Sequence, residues 1–157
     1  VARETVTPPT RTGSRKAIRA AESVLEQKGF FGIFPEGGAW ANVLRPPRPG
    51  AAYLAARTNT KILPVGFSGF NDIFPLRLRN RPKVTIRVGK PFGPLQADGR
   101  GRKRRAQLDR FGHQIMEKIA ELLPEKARGY YSDDPDQREA ALEAARYPWE
   151  NANWDEV

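Results

Sequence analysis

The chain has 157 residues, no cysteine and one histidine, and its formal net charge is +9. That length suffices for one domain with a single core. The missing cysteine excludes disulfides, thiolate metal sites and a thiol nucleophile, and it fits a reducing compartment. No apolar run approaches the roughly 20 residues of a membrane-spanning helix, and the first residues do not read as a secretion signal. The charge is uneven. From Ser132 onward eight acids meet two bases, which leaves 25 bases against 10 acids before it. A body that basic suits a phosphate-bearing substrate, an anionic bilayer or nucleic acid, and charge alone does not choose among them.

Residues 1–13 read as extended, since Pro8 and Pro9 keep their neighbours out of helix. Ser14 to Lys28 is predicted as a helix with Ser14 as N-cap. Ala17, Ile18, Ala21, Val24 and Leu25 form its apolar face, and Gly29 is the left-handed stop. Phe30 to Phe34 then reads as a buried strand, ended by Pro35, which has no N–H for a ladder. Glu36, Gly37 and Gly38 follow, and Glu36 is the only acid between Glu26 and Asp72. Two readings stand for it. The carboxylate tidies up backbone donors at a strand-to-turn junction, or it faces a polar ligand at the strand's carboxyl end, where open α/β sheets hold one.

Ala39 to Pro49 is a loop stiffened by Pro46, Pro47 and Pro49. Arg45 and Arg48 are the guanidinium groups nearest Glu36 in sequence, suited to phosphate or simply to water. Trp40, Val43 and Leu44 make either an exposed apolar lip or part of the core. Gly50 to Arg57 is a short helix. Lys61 to Gly66 is a strand in which Pro64 argues for an edge or an end. Between Phe67 and Pro82, apolar and basic residues interleave, as on a lipid-facing surface or on a half-buried hairpin arm. Val84, Ile86 and Val88 alternate as a strand.

Gly99 to Arg105 holds five bases and reads as a solvated linker. The next helix carries the stripe Leu108, Phe111, Ile115, Ile119 and Leu122 and ends at Pro124, with His113 off the stripe and exposed. Asp134-Pro135 caps a short acidic helix, and Trp149 and Trp154 are placed to tuck the tail against the body. There is no repeat, metal spacing, P-loop or dinucleotide fingerprint.

Taken together, F-P-E-G (Phe34 to Gly37), R-P-G-A-A (Arg48 to Ala52), L-A-A-R-T (Leu54 to Thr58), I-L-P-V-G-F (Ile62 to Phe67), V-T-I-R-V-G-K-P-F (Val84 to Phe92) and L-L-P-E (Leu122 to Glu125) resemble the glycerolipid acyltransferases, the lysophosphatidic acid acyltransferase-like superfamily. The resemblance runs from about Arg11 to Tyr131 and implies an α/β fold with a mixed, mostly buried β-sheet flanked by helices. Residues 1–131 would be the rear portion of such a domain and residues 132–157 an acidic helical tail. It implies transfer of a fatty acyl group from acyl-CoA or acyl-carrier protein to a lysophosphatidic acid or glycerol-phosphate acceptor, with no cofactor or metal. Localisation would be cytoplasmic, on the inner face of an anionic membrane, with no specific nucleic acid as partner.

By the same resemblance the substrate-binding residues are Arg11 and Arg48 on the acceptor phosphate (Arg15 is a second match for Arg11), Glu36, Gly37 and Gly38 at the headgroup, and Pro64 and Val65 near the pocket. The family's general base is a histidine with an aspartate five positions on. His113 is followed at that distance by Lys118, so no catalytic residue is assigned in this chain and the pair is expected upstream of Val1. Relatives continue F-P-E-G with Thr-Arg-Ser, where this chain has Gly38, Ala39 and Trp40. The alternative is a non-catalytic basic module that binds nucleic acid or lipid. It has the basic runs Arg77 to Lys83 and Arg100 to Arg105 but lacks a groove-reading helix or closely spaced strand aromatics.

Overall fold

Helix α3 (Gly101–Ala120) is the element against which the others pack, because its sequence is apolar on two adjacent sides. One side, with Ile115, meets Ala51, Ala52 and Leu95, backed by Ile62, Phe92, Phe111 and Ile119. The other, with Met116 and Ala120, meets Leu44 and Leu123, backed by Ala127 and Tyr131. Around it the computed structural model describes residues 11–37, 43–69 and 83–145, with side chains from residue 16 in the first stretch. The order is α1 (Arg11–Glu26), α2 (Pro49–Thr58), β1 (Val65–Ser68), β2 (Thr85–Val88), α3, two 3-10 turns (Glu125–Ala127 and Gly129–Tyr131) and α4 (Pro135–Ala144). The fold is mixed α and β. None of the described helices is long and apolar enough to cross a membrane.

The helix boundaries follow local chemistry. In α1 the left-handed residue is Lys28 (φ 60°) rather than Gly29. Gly29 is instead a close-approach position: its N–H donates to the Val24 carbonyl, and a Cβ there would lie 2.8 Å from Val24 Cγ1. Helix α2 starts at Pro49, whose missing N–H is an orphan donor anyway, and stops at left-handed Asn59. The basic run before α3 is not a linker but its first turns. Arg104 Nη1 donates to the Ala97 carbonyl and Asp98 N–H to Gln107 Oε1, which fastens the incoming chain to the helix. Asp134 caps α4 by accepting from Asp136 N–H, with Pro135 next, as expected.

The sheet differs most from expectation. Among the described residues it has two antiparallel strands, β1 and β2, with Val65 opposite Val88 and Phe67 opposite Ile86. The ladder begins after Pro64, and Ile62 meets Phe92 in an isolated bridge. It is not mostly buried: Phe67, Ile86 and Val88 are exposed, while Gly66 backs onto Leu122 and Leu123. Phe30 to Phe34 is not a strand. It is irregular, with Phe30 99% exposed and Phe34 74%. A run apolar on both sides needs neighbours on both sides, and here β1 and β2 pair with each other instead. The region read as an insert, apart from its ends, and Trp40, Trp149 and Trp154 lie outside the described residues.

The 3-10 turns hold the loop after residue 43 in place. Leu44 N–H donates to the Ala127 carbonyl and Tyr130 N–H to the Leu44 carbonyl. Between them Gly129, at φ 50°, leaves no room for a side chain: a Cβ would lie 2.9 Å from Val43 Cβ and 3.0 Å from Leu44 N, and would run into the Leu44 carbonyl oxygen. Gly129→Ala is therefore expected to cost about 3 kcal/mol, read from urea unfolding, because a backbone obstacle cannot rotate away. A loss under about 0.5 kcal/mol, the level of an ordinary surface substitution, would contradict this packing.

Candidate functional site

The turn at Pro35 brings two stretches of chain face to face. Gly37 N–H donates to the Phe34 carbonyl at 3.1 Å, closing a turn with Pro35 at its first corner. Across from it, Arg48 N–H donates to the Pro35 carbonyl at 2.8 Å, and Arg45 N–H donates to Glu36 Oε2 at 3.1 Å. The Arg45 Nε lies 3.4 Å from the same oxygen. One carboxylate thus fastens both the backbone and the guanidinium of Arg45, and the neighbouring carbonyl fastens Arg48. Pro46 and Pro47 restrict the backbone between these anchors, so a few bonds suffice to hold it.

Electrostatics inside this clamp oppose each other. The Arg45 side chain is only 2% exposed and that of Glu36 20%. Burial pushes the Glu36 carboxyl above its ordinary 4.5, and the Arg45 N–H, charge and side chain pull it back. Burial likewise lowers the Arg45 guanidinium from its ordinary range, opposed chiefly by the Glu36 charge. Each ion makes the other tolerable. Arg48, by contrast, is exposed, and its Cγ lies across Gly37, where a Cβ would sit 2.9 Å away. Gly37, at φ 76°, is therefore required twice over, by the turn and by the arginine that crosses it.

Glu36, Arg45, Pro46, Pro47, Arg48 and Ala145 at the end of α4 line a recess of about 100 Å³. That is well below the roughly 300–1,000 Å³ that encloses a drug-sized ligand, and it suits only a small polar group. A larger, shallow groove of about 510 Å³ runs along Glu117, Ala120, Glu121, Arg128, Tyr131 and Ser132. Its two glutamates disfavour an anion. Among the described residues no cluster of carboxylates and histidine is gathered to hold a metal.

Of the residues singled out in the sequence, the structure brings Glu36, Gly37 and Arg48 together. Gly38 and the Arg11 side chain lie outside the described residues, and so does the Arg15 side chain, although both arginines belong to α1. Pro64 and Val65 engage another region: Gly89 N–H donates to the Pro64 carbonyl, and Val65 pairs with Val88. Leu44 is core, 7% exposed, rather than part of a lip. Arg45 is the buried ion, a role that its basic, proline-rich setting did not reveal. His113 is partly buried, not exposed as its position off the stripe implied. Its Nδ1 lies 2.9 Å from the Tyr131 hydroxyl, and its ring packs against those of Tyr130 and Tyr131. Burial, and then Tyr130 and the acids Glu117, Glu36 and Asp109, push the Tyr131 phenol upward, so it stays protonated.

Two measurements check the clamp. Because the folded carboxyl binds its proton more tightly than the unfolded one, Glu36 should titrate above 4.5 in carboxyl NMR, and its contribution to stability should fall as pH rises through that value. A midpoint at or below 4.5 would contradict this. Glu36→Ala should also cost about 3 kcal/mol in urea unfolding by removing the carboxylate that faces the buried Arg45.

Comparison with known proteins gives one match. Residues 5–68, under half of the chain, match the family model described as Acyltransferase, a span that includes Glu36, Arg45 and Arg48. Neither the curated proteins nor the solved structures give a significant match. The match supports the acyltransferase superfamily as the affiliation of this segment.

Proposed function

We propose that the protein serves acyl transfer to a phosphate-bearing lysolipid or glycerol phosphate, and that the recess beside Arg48 receives the acceptor's phosphate. The observation that carries this reading is the clamp itself, which lies within the matched residues. Arg45 is buried against Glu36, whereas Arg48 is exposed, its backbone N–H is held by the Pro35 carbonyl, and its side chain is a permanently charged fork. The acceptor site would thus divide its labour: Glu36 and Arg45 fix the loop, and Arg48 meets the ligand. The donor would be a thioester of coenzyme A or a carrier protein, and the setting an anionic membrane surface, which agrees with the basic body.

In the reaction the acceptor hydroxyl oxygen attacks the thioester carbonyl, the carbon–sulfur bond breaks, and the hydroxyl proton leaves with the thiol. A positioned base contributes about 10²–10⁴ in rate. The single histidine of this chain has Tyr131 at its Nδ1 and no aspartate five positions on. On this reading the chain contributes acceptor binding, and its turnover alone is slow.

The test is calorimetric binding of a short-chain lysophosphatidate, with the matching monoacylglycerol as the ligand that lacks phosphate. Lysophosphatidate should bind and monoacylglycerol should not. Arg48→Ala should weaken binding about tenfold or more, the worth of a charge-assisted hydrogen bond. Equal binding of the two ligands, or no effect of Arg48→Ala, would overturn the proposal.

A further inference from the structure

Helix α3 carries a charge pattern that the acceptor recess does not use. Its buried residues, Gly112, Ile115, Met116 and Ala120, all lie in its second half, and none of residues 101–111 is buried. Between Asp98 and Arg110, six bases meet two acids. Arg100, Arg102, Lys103 and Arg105 are exposed, and among the described residues none of them pairs with a carboxylate. Arg104 instead reaches back to the Ala97 carbonyl. Arg102 and Arg105 stand three positions apart, where like charges on a helix repel, and the first turn holds no acid to offset them. Guanidinium and ammonium groups at this density are not covered by packing, so the surface belongs to water or to an anionic partner.

We propose that the first half of α3 is the surface by which the protein adsorbs to an anionic lipid bilayer. A lipid rather than a nucleic acid follows from what these bases lack around them. No aromatic residue lies between Phe92 and Phe111 to stack on a nucleobase. Gln107 is engaged already, its Oε1 accepting from the Asp98 N–H. Asp109 and Glu117, exposed further along the helix, would repel a phosphate backbone that followed it. Lipid headgroups ask only for charge, about fivefold in affinity for each Lys or Arg brought close. With no aromatic side chain to insert, the contact stays electrostatic and at the surface. That a lipid is the partner rests in part on the acyl-transfer reading, whereas the surface itself shares no residue with the acceptor recess.

Vesicle sedimentation of the full chain tests this, with vesicles of phosphatidylcholine alone and vesicles in which about a third of the lipid is phosphatidylglycerol. The chain should bind the anionic vesicles at about 0.1 M salt, where the Debye length is about 10 Å, and leave them at about 1 M, where it is about 3 Å. Arg102→Ala combined with Lys103→Ala should weaken binding about 25-fold, two charges at fivefold each. Lys118→Ala combined with Lys126→Ala removes the same charge from the far end of α3 and the turn after it, with Lys118 roughly 24 Å along the axis from Arg102. That pair should change binding less than about twofold. Alanine suits a helix, so circular dichroism should find both double variants folded. The vesicles contain no lysolipid, so a failure of lysophosphatidate binding would remove the acyl-transfer reading and leave this result standing. Equal losses in the two double variants, equal binding to neutral vesicles, or tighter binding to short DNA that the Arg102 and Lys103 substitutions abolish would overturn the proposal.

Discussion

A single carboxylate determines how the loop after the Pro35 turn lies. Glu36 accepts the Arg45 N–H and faces the Arg45 Nε with the same oxygen, so one side chain fixes a neighbour's backbone and its charge together. Desolvation works against both ions; at Glu36 the Arg45 N–H and then its charge oppose it, and at Arg45 the Glu36 charge does. The consequence is positional. With Arg45 anchored and two prolines following it, Arg48 has little freedom in where its backbone emerges, and the Pro35 carbonyl takes its N–H. Buried ion, rigid spacer and exposed ion form one unit.

That unit is supported from behind. Leu44 precedes Arg45 and packs into the cluster around Met116, while the 3-10 turns exchange backbone hydrogen bonds with it on both sides. Gly129 allows the approach. The end of α4 reaches the same recess through Ala145, so the acidic tail helix borders the candidate site rather than standing apart from it. Ser132 secures this arrangement: its hydroxyl donates to Glu125 and its carbonyl accepts from Arg138.

Helices were legible in the sequence because their signals are local. Asp134-Pro135, the apolar periodicity of α3 and the Val84–Val88 alternation each report on a few adjacent residues, and the structure follows them within a turn or so. The left-handed position at Lys28 instead of Gly29 shows the limit, since steric room at Val24 and backbone angle both favour glycine and only one applied. Phe30 to Phe34 failed for a different reason. Composition states that a segment wants burial, but whether neighbours exist to bury it is a tertiary matter. Within the site, Glu36 and Arg48 were legible from the F-P-E-G and R-P-G patterns. The division between a buried Arg45 and an exposed Arg48 was not, because both follow from the fold around Leu44. His113 was misplaced for the same reason: the tyrosines that cover it come from a turn 17 residues later in the chain.

The central claim is that Glu36 and Arg45 act as one unit to set the position of Arg48. A double-mutant cycle with Glu36→Gln and Arg45→Met, read by urea unfolding and by lysophosphatidate binding, tests it most directly. The account predicts that the double variant is about 2 kcal/mol more stable than the sum of the single losses implies, and that each single change weakens binding although Arg48 is intact. Additive stabilities within about 0.5 kcal/mol, together with unchanged binding in both single variants, would contradict it.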